Sequence, residues 1–131
     1  MIQVERVRSP SDLKAFIHFP HQLYGDDPNY VPQLNIAINE HLNRKKNPFF
    51  RHSSAHYYLA IKDGKIVGRI STINNTAHNE RYKERTAFFG FFDSINDLKV
   101  AQALFNQVRN DAREWGFDNI IGPENFTTND A

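Results

Sequence analysis

The segment TAFFGFFDSINDLK, residues 86–99, joins an aromatic strand to the polar start of a helix. Gly90 interrupts four phenylalanines, and a glycine inside a strand is typical of a β-bulge, which leaves backbone groups without a neighbouring strand. The helix that follows would present free backbone amides, which bind anions, with Ser94 or Asn96 as its N-cap. This segment therefore predicts an anion-binding site where the strand meets the helix.

A purely structural interpretation explains the same residues. Gly90 could make room for a neighbouring ring, and Asp93 could cap the helix. Asp93 and Glu124 are candidates for a general base near the strand ends, although a helix cap and a loop carboxylate explain them equally well. The phenylalanines are packing residues first, because a strand inside a three-layer fold is covered on both faces. Both interpretations stay open from the sequence.

Hydrophobic periodicity and turn residues predict eight elements in the order β-α-α-β-β-β-α-β. Asp63-Gly64 is typical of a two-residue hairpin turn, and Gly116 lies where a helix ends in a left-handed residue. Pro20 lacks an N–H group, so the first helix should stop or kink there, whereas the polar run 75–85 is expected to be a surface loop. The predicted segments are an edge strand at 2–7, helices from Ser9-Pro10 and at 33–43, hairpin strands at 55–61 and 66–74, and strands at 86–94 and 117–121 around a helix.

That last helix has the strongest amphipathic pattern in the chain. A strand, a helix and a second strand in succession form a right-handed crossover with two parallel strands. Ligands of such units bind beyond the carboxyl ends of the strands, which here follow Ser94 and Ile121. The apolar stripe consists of Leu98, Ala101, Leu104, Phe105, Val108, Ala112 and Trp115.

Composition excludes several classes of function. The 131 residues carry sixteen Lys and Arg against fifteen Asp and Glu, so they lack the concentrated positive charge that nucleic-acid binding requires. The absence of cysteine excludes a thiolate metal site and fits a reducing compartment, and no segment is typical of a signal peptide or a membrane span. The sequence therefore favours a cytoplasmic protein that binds neither nucleic acid nor membrane. No metal is expected either, because the pairs His18/His21 and His52/His56 have no third ligand at a recognisable spacing.

Four blocks in order resemble the Gcn5-related N-acetyltransferase (GNAT) superfamily, and specifically a group of uncharacterised bacterial proteins in it. They are NPFF at 47–50, DGKIVGRIS at 63–71, FFGFFD at 88–93 and GPENFTTND at 122–130. The resemblance spans the chain and implies one α/β (α+β) domain over 1–131, with a mixed sheet flanked by helices. It also implies transfer of an acetyl group from acetyl-CoA to an amine of a small molecule or peptide.

The resemblance implies site residues as well. In this superfamily a bulged strand parts from the next parallel strand to admit the pantetheine arm. By that pattern the backbone of Phe91, Phe92 and Asp93 would face the arm, and Asn125 would border the acceptor. The amides expected to face the phosphates are those of Asn96, Asp97, Leu98 and Lys99.

Two departures from the superfamily favour an alternative. The glycine-containing phosphate loop is replaced by DSINDLK, where Asp93 and Asp97 oppose a pyrophosphate unless Lys99 compensates. The later helix and closing hairpin of the superfamily, with the tyrosine that often serves as general acid, do not follow the fifth predicted strand, so we expect a fragment of a longer protein or the product of a severed gene. The alternative is a catalytically degenerate module that serves in protein interaction or self-association, with a homodimer through the unpaired sheet edge.

Overall fold

A computed structural model describes residues 1–25 and 53–123 of the chain. The predicted helix at 33–43, the block at 47–50 and residues Glu124 and Asn125 lie outside the described residues. The strands are β1 (Ile2–Arg6), β2 (Ser53–Lys62), β3 (Lys65–Asn75), β4 (Thr86–Ser94) and β5 (Asn119–Ile121). The helices are α1 (Pro10–Tyr24), α2 (Thr76–Tyr82) and α3 (Leu98–Glu114).

The five strands form one mixed sheet in the order β1-β2-β3-β4-β5. The first four pair antiparallel with their neighbours, and β5 runs parallel to β4 after the crossover through α3. Asp63 and Gly64 join β2 to β3 with φ angles of 53° and 77°, which confirms the predicted hairpin turn. The mixed sheet with flanking helices was also predicted correctly, and β1 lies at the edge of the sheet formed by the described residues, as expected.

One hydrophobic cluster lies on each face of the sheet. Gly68 brings α3 close to its face, because a Cβ there would lie 2.9 Å from the Leu104 side chain. The middle layer is therefore covered on both faces, as the aromatic content of β4 suggested. On the α1 face the cluster contains Phe16, Ile17, Ala55, Tyr57, Leu59, Ile73 and Phe88. On the α3 face it contains Tyr58, Ala60, Val67, Ile70, Val100, Leu104 and Val108.

The prediction of a surface loop at 75–85 is wrong. The stretch expected to be a loop contains α2, because the Asn75 side chain caps it by accepting from the His78 amide at 3.0 Å, and Lys83 ends it in a left-handed conformation. Of the two outcomes predicted at Pro20, a stop or a kink, the stop does not occur, because the first helix continues to Tyr24.

The third helix differs from its prediction at its start. Its N-cap is Asp97, not Ser94 or Asn96. Leu98 was placed in the buried stripe but is 72% exposed, and Val100 is buried instead. Gly116 follows the helix with φ of 77°, as predicted. The last strand begins at Asn119 rather than at residue 117.

Candidate functional site

The predicted bulge is present in β4, one residue after Gly90. Gly90 stays in register with Ser71, whose hydroxyl donates to the Gly90 carbonyl at 3.0 Å, and Asp93 is in register with Arg69. Three steps along β4 therefore match two steps along β3, so β4 contains one extra residue. Phe91 has a φ of 50°, a left-handed conformation that is uncommon for a bulky side chain.

The bulge changes the faces to which the phenylalanines point. In a regular strand, side chains two residues apart share a face. Phe88 and Phe91, three apart, both pack on the α1-face cluster. On the other face, Phe89 and Phe92 contact the Phe105 ring at centroid distances of 5.0 Å and 4.8 Å. All four rings are packing residues, as predicted, and the extra residue fixes this arrangement.

Pairing between the two parallel strands is short. Thr86, Ala87 and Phe88 pair with the three residues of β5, and the second half of β4 has only β3 as a strand neighbour among residues 1–25 and 53–123. Gly122 still approaches β4 closely, because a Cβ there would lie 2.7 Å from the Phe89 carbonyl oxygen. The two segments are thus in contact up to Phe89, and the bulge follows directly.

Asp93 is held by a buried ion pair at the bulge. Arg69, which is 7% exposed, donates to one Asp93 oxygen from Nε at 3.0 Å and contacts it with a terminal nitrogen at 2.9 Å. The Tyr24 hydroxyl donates to the other oxygen at 3.1 Å. Asp93 therefore does not cap α3, and both of its oxygens have protein donors. Its role as a general base stays a prediction.

Arg69 also compensates for the proline inside α1. In an α-helix the Phe16 carbonyl would accept from the amide of residue 20, but Pro20 has no N–H. An Arg69 terminal nitrogen donates to this carbonyl at 2.8 Å, and its guanidinium lies 4.9 Å from the Phe16 ring centroid. One side chain thus joins α1 to the bulged half of β4.

The side-chain carboxylate of Asp97 caps the start of α3. Asp97 Oδ1 accepts from the Lys99 amide at 2.9 Å, and Oδ2 contacts Lys62 Nζ at 3.2 Å. These two donors, the amide first, lower the pKa of Asp97 below its ordinary value. The Lys99 amide, which was expected to face the phosphates, thus serves the cap, and the cation paired with Asp97 is Lys62 rather than Lys99.

A second polar group lies on the α3 face of the sheet. Asp111 is 3% exposed and accepts from the hydroxyls of Tyr58 at 2.6 Å and Thr72 at 2.5 Å and from the Gln107 amide at 3.0 Å. His56 Nδ1 lies 3.7 Å from the same carboxylate. Burial raises the pKa of Asp111, but the hydrogen bonds together outweigh it and the pKa is lowered.

Tyr58 shows the opposite behaviour beside this carboxylate. Burial, together with the hydrogen bond to Asp111 and its charge, raises the pKa of the Tyr58 hydroxyl. Sequence patterns alone did not predict this cluster. The available signal was the position of Asp111, three residues after Val108 and next to Ala112, on the apolar face of α3.

The described part of the chain contains no group of three or more His, Cys, Asp or Glu residues that could hold a metal ion. Within residues 1–25 and 53–123, no helix is both long and apolar enough to cross a membrane.

The chain is similar to two curated bacterial proteins. It is 44% identical over 119 residues to Protein YghO of Escherichia coli K12, a match that covers 91% of this chain and 30% of that protein. It is 32% identical over 130 residues to the bacterial ceramide synthase of Caulobacter vibrioides, covering 98% of this chain and 34% of the relative. The chain thus spans about a third of the length of these relatives. No protein-family model matches it.

Solved acetyltransferases share its fold. An aminoglycoside acetyltransferase from an uncultured soil metagenomic sample, in complex with sisomicin, superposes with a TM-score of 0.64 at 16% identity, over 94% of this chain and 77% of that one. A predicted acetyltransferase with acetyl-CoA from Clostridium acetobutylicum gives 0.62 at 13% identity, over 95% and 82%. A tandem GNAT protein from the clavulanic acid biosynthesis pathway gives 0.66 at 14% identity, over 87% and 34%. The chain has the GNAT fold, as the resemblance implied.

Proposed function

We propose that this chain is part of an acyl-CoA-dependent N-acyltransferase, which transfers an acyl group, acetyl in the simplest case, to an amine. The observation that carries the proposal is the bulge at Phe91 in a strand whose parallel neighbour pairs only as far as Phe88. The shared fold with solved acetyltransferases supports it.

The donor would lie along the second half of β4. Bound acyl-CoA would supply an activated thioester carbonyl. This chain would hold the pantetheine arm against the backbone of Phe92 and Asp93, next to the bulge residue Phe91. Backbone pairing of this kind suits an arm that contains two amide groups. The ion pair with Arg69 and the packing on Phe105 would keep this stretch of strand rigid, so the arm meets a preformed edge.

The acceptor in this proposal is an amine. Ceramides are N-acylated long-chain amino alcohols, so the name of the Caulobacter relative favours N-acylation over O-acylation. Asn125 is predicted to border the acceptor, and Asp93 or Glu124 is the predicted general base; Asn125 and Glu124 lie outside the described ranges. A small-molecule or peptide amine is the expected acceptor class.

Calorimetry on the natural protein that carries this sequence tests the proposal. Acetyl-CoA and palmitoyl-CoA are titrated separately, and turnover is then measured as release of free CoA with and without an amine acceptor. We expect saturable binding of at least one donor and amine-dependent release. Absence of heat with both donors would contradict the proposal and support the alternative, a degenerate module that associates with itself, which sedimentation would then reveal as a dimer.

A further inference from the structure

The polypeptide around the start of α3 forms a fixed, closed cap. The Ile95 amide donates to the Val67 carbonyl at 2.9 Å, and the Asp97 amide donates to the Ile95 carbonyl at 2.7 Å. These bonds tie the turn before the helix to β3. The Asp97 carboxylate then receives the Lys99 amide on one oxygen and Lys62 Nζ on the other. The cap is therefore built from both backbone and side-chain contacts.

An anion at a helix start uses free backbone amides and the positive end of the helix dipole. Here the carboxylate of Asp97 already occupies that position. A diphosphate would have to displace it from the Lys99 amide, and it would meet a second negative charge while doing so. Lys62 and Lys99 both place positive charge near this carboxylate, and Lys62 is already paired with it at 3.2 Å. The residues present do not fit a diphosphate at this helix.

We infer that the acyl donor is recognised through its thioester and pantetheine arm, and that α3 does not hold a diphosphate. The donor class is thus a pantetheine thioester, whatever group carries it. This inference rests on the proposed function for its donor, whereas the closed cap stands on the backbone bonds of Ile95 and Asp97 and on the contacts of the Asp97 carboxylate. The pKa of Asp97 is lowered by the same contacts that close the cap, first the hydrogen bond from the Lys99 amide and then the one from Lys62.

The first test follows the backbone amides of Leu98, Lys99 and Val100 by TROSY NMR in the natural protein, during titration with 3′,5′-ADP and with ADP, which carries the diphosphate. We expect no saturable shift at these amides up to millimolar nucleotide. A saturable shift there with either nucleotide overturns the inference. This titration needs no acyl donor, so it decides whether α3 holds a diphosphate even if the proposed function fails.

Two variants test whether the Asp97 carboxylate is the group that prevents nucleotide binding at the start of α3. Asp97→Gly removes the charge and frees the Lys99 amide while keeping a residue that helix starts accept, and Asp97→Asn keeps the cap without the charge. We expect ADP-dependent shifts in Asp97→Gly, at least tenfold weaker binding in Asp97→Asn, and no shifts in the parent protein. Lack of shifts in Asp97→Gly would overturn Asp97 as the closing group. Unchanged resonances elsewhere in the spectrum control for folding.

The second test compares S-acetyl-pantetheine with acetyl-CoA by calorimetry. We expect dissociation constants within about threefold of each other, because α3 adds no diphosphate contact. If acetyl-CoA binds more than about tenfold more tightly than S-acetyl-pantetheine, and if its binding also shifts the NMR resonance of the Lys99 amide, the inference is overturned. Failure of both thioesters to bind contradicts the proposed function and the donor class inferred from it, and the nucleotide titration then decides separately whether α3 holds a diphosphate.

Discussion

Replacing Arg69 by methionine should destabilise the protein strongly. Methionine keeps much of the length of the side chain but removes the charge and every donor. Asp93, with 19% of its side chain exposed, then loses its ion-pair partner, and the Phe16 carbonyl loses the donor that stands in for the missing amide of Pro20. Breaking a buried pair by removing one partner costs about 3–5 kcal/mol. Because Tyr24 still donates to Asp93, we expect the lower end, about 3 kcal/mol.

The compensating variants make this prediction specific. In Arg69→Met/Asp93→Asn no unpaired charge remains, so much of the lost stability should return. In a Pro20→Ala background the backbone N–H restored at position 20 can donate to the Phe16 carbonyl, and the cost of Arg69→Met should fall by about 1 kcal/mol. A double-mutant cycle isolates this coupling.

Urea unfolding, followed by circular dichroism, measures the free energy of unfolding for each variant, with the slope checked for constancy. A loss below about 1 kcal/mol for Arg69→Met would refute the reasoning, because losing an exposed pair costs no more than that. Zero coupling with Pro20→Ala would refute the role assigned to the Phe16 carbonyl.

Three further predictions concern other contacts. Asp111→Asn should lower the free energy of unfolding by about 2–3 kcal/mol in urea titrations, because it removes the buried charge that accepts three hydrogen bonds. In the control variant, Asp118→Asn on the surface, the free energy of unfolding should change by no more than about 0.5 kcal/mol. Because the pKa of Asp111 is lowered in the folded state, its contribution to stability is present above its ordinary pKa of 3.8 and is lost as the pH falls. The free energy of unfolding of Asp111→Asn should therefore decrease less than that of the parent protein between about pH 7 and about pH 2.5. An equal decrease in both proteins would contradict this. Gly122→Ala should cost about 1–3 kcal/mol by the same assay, because its Cβ would overlap the Phe89 ring and carbonyl, and a neutral result would show that the close approach is absent.

Local sequence signals predicted the framework of the site. Asp63, Gly64 and Gly116 were expected at turns that require a positive φ angle, which glycine and aspartate tolerate better than most residues. The structure has positive φ angles at all three. The bounds of β4 were predicted because its apolar run ends at a polar segment. A bulge beside Gly90 was expected, although its position at Phe91 depends on pairing with β3, which a single strand does not specify.

Long-range contacts were not predictable in this way. Arg69 and Asp93 lie on different strands, and nothing local shows that a buried arginine replaces the missing amide of Pro20. The choice of Asp97 as the cap of α3, over the other polar residues of 93–97, likewise depends on a tertiary contact, because Lys62 at the end of β2 favours it. The helix within 75–85 was not predicted, because this polar segment has the composition of a loop and Asn75 was not recognised as an N-cap.

Hydrogen exchange of β4 tests the central claim most directly. The natural protein is exchanged with and without saturating acetyl-CoA, and the peptide covering residues 89–94 is followed by mass spectrometry. The proposal predicts slower exchange at Phe92 and Asp93 on addition of the donor, as the arm pairs with the strand beside the bulge. Donor binding that leaves exchange in this peptide unchanged would contradict the account.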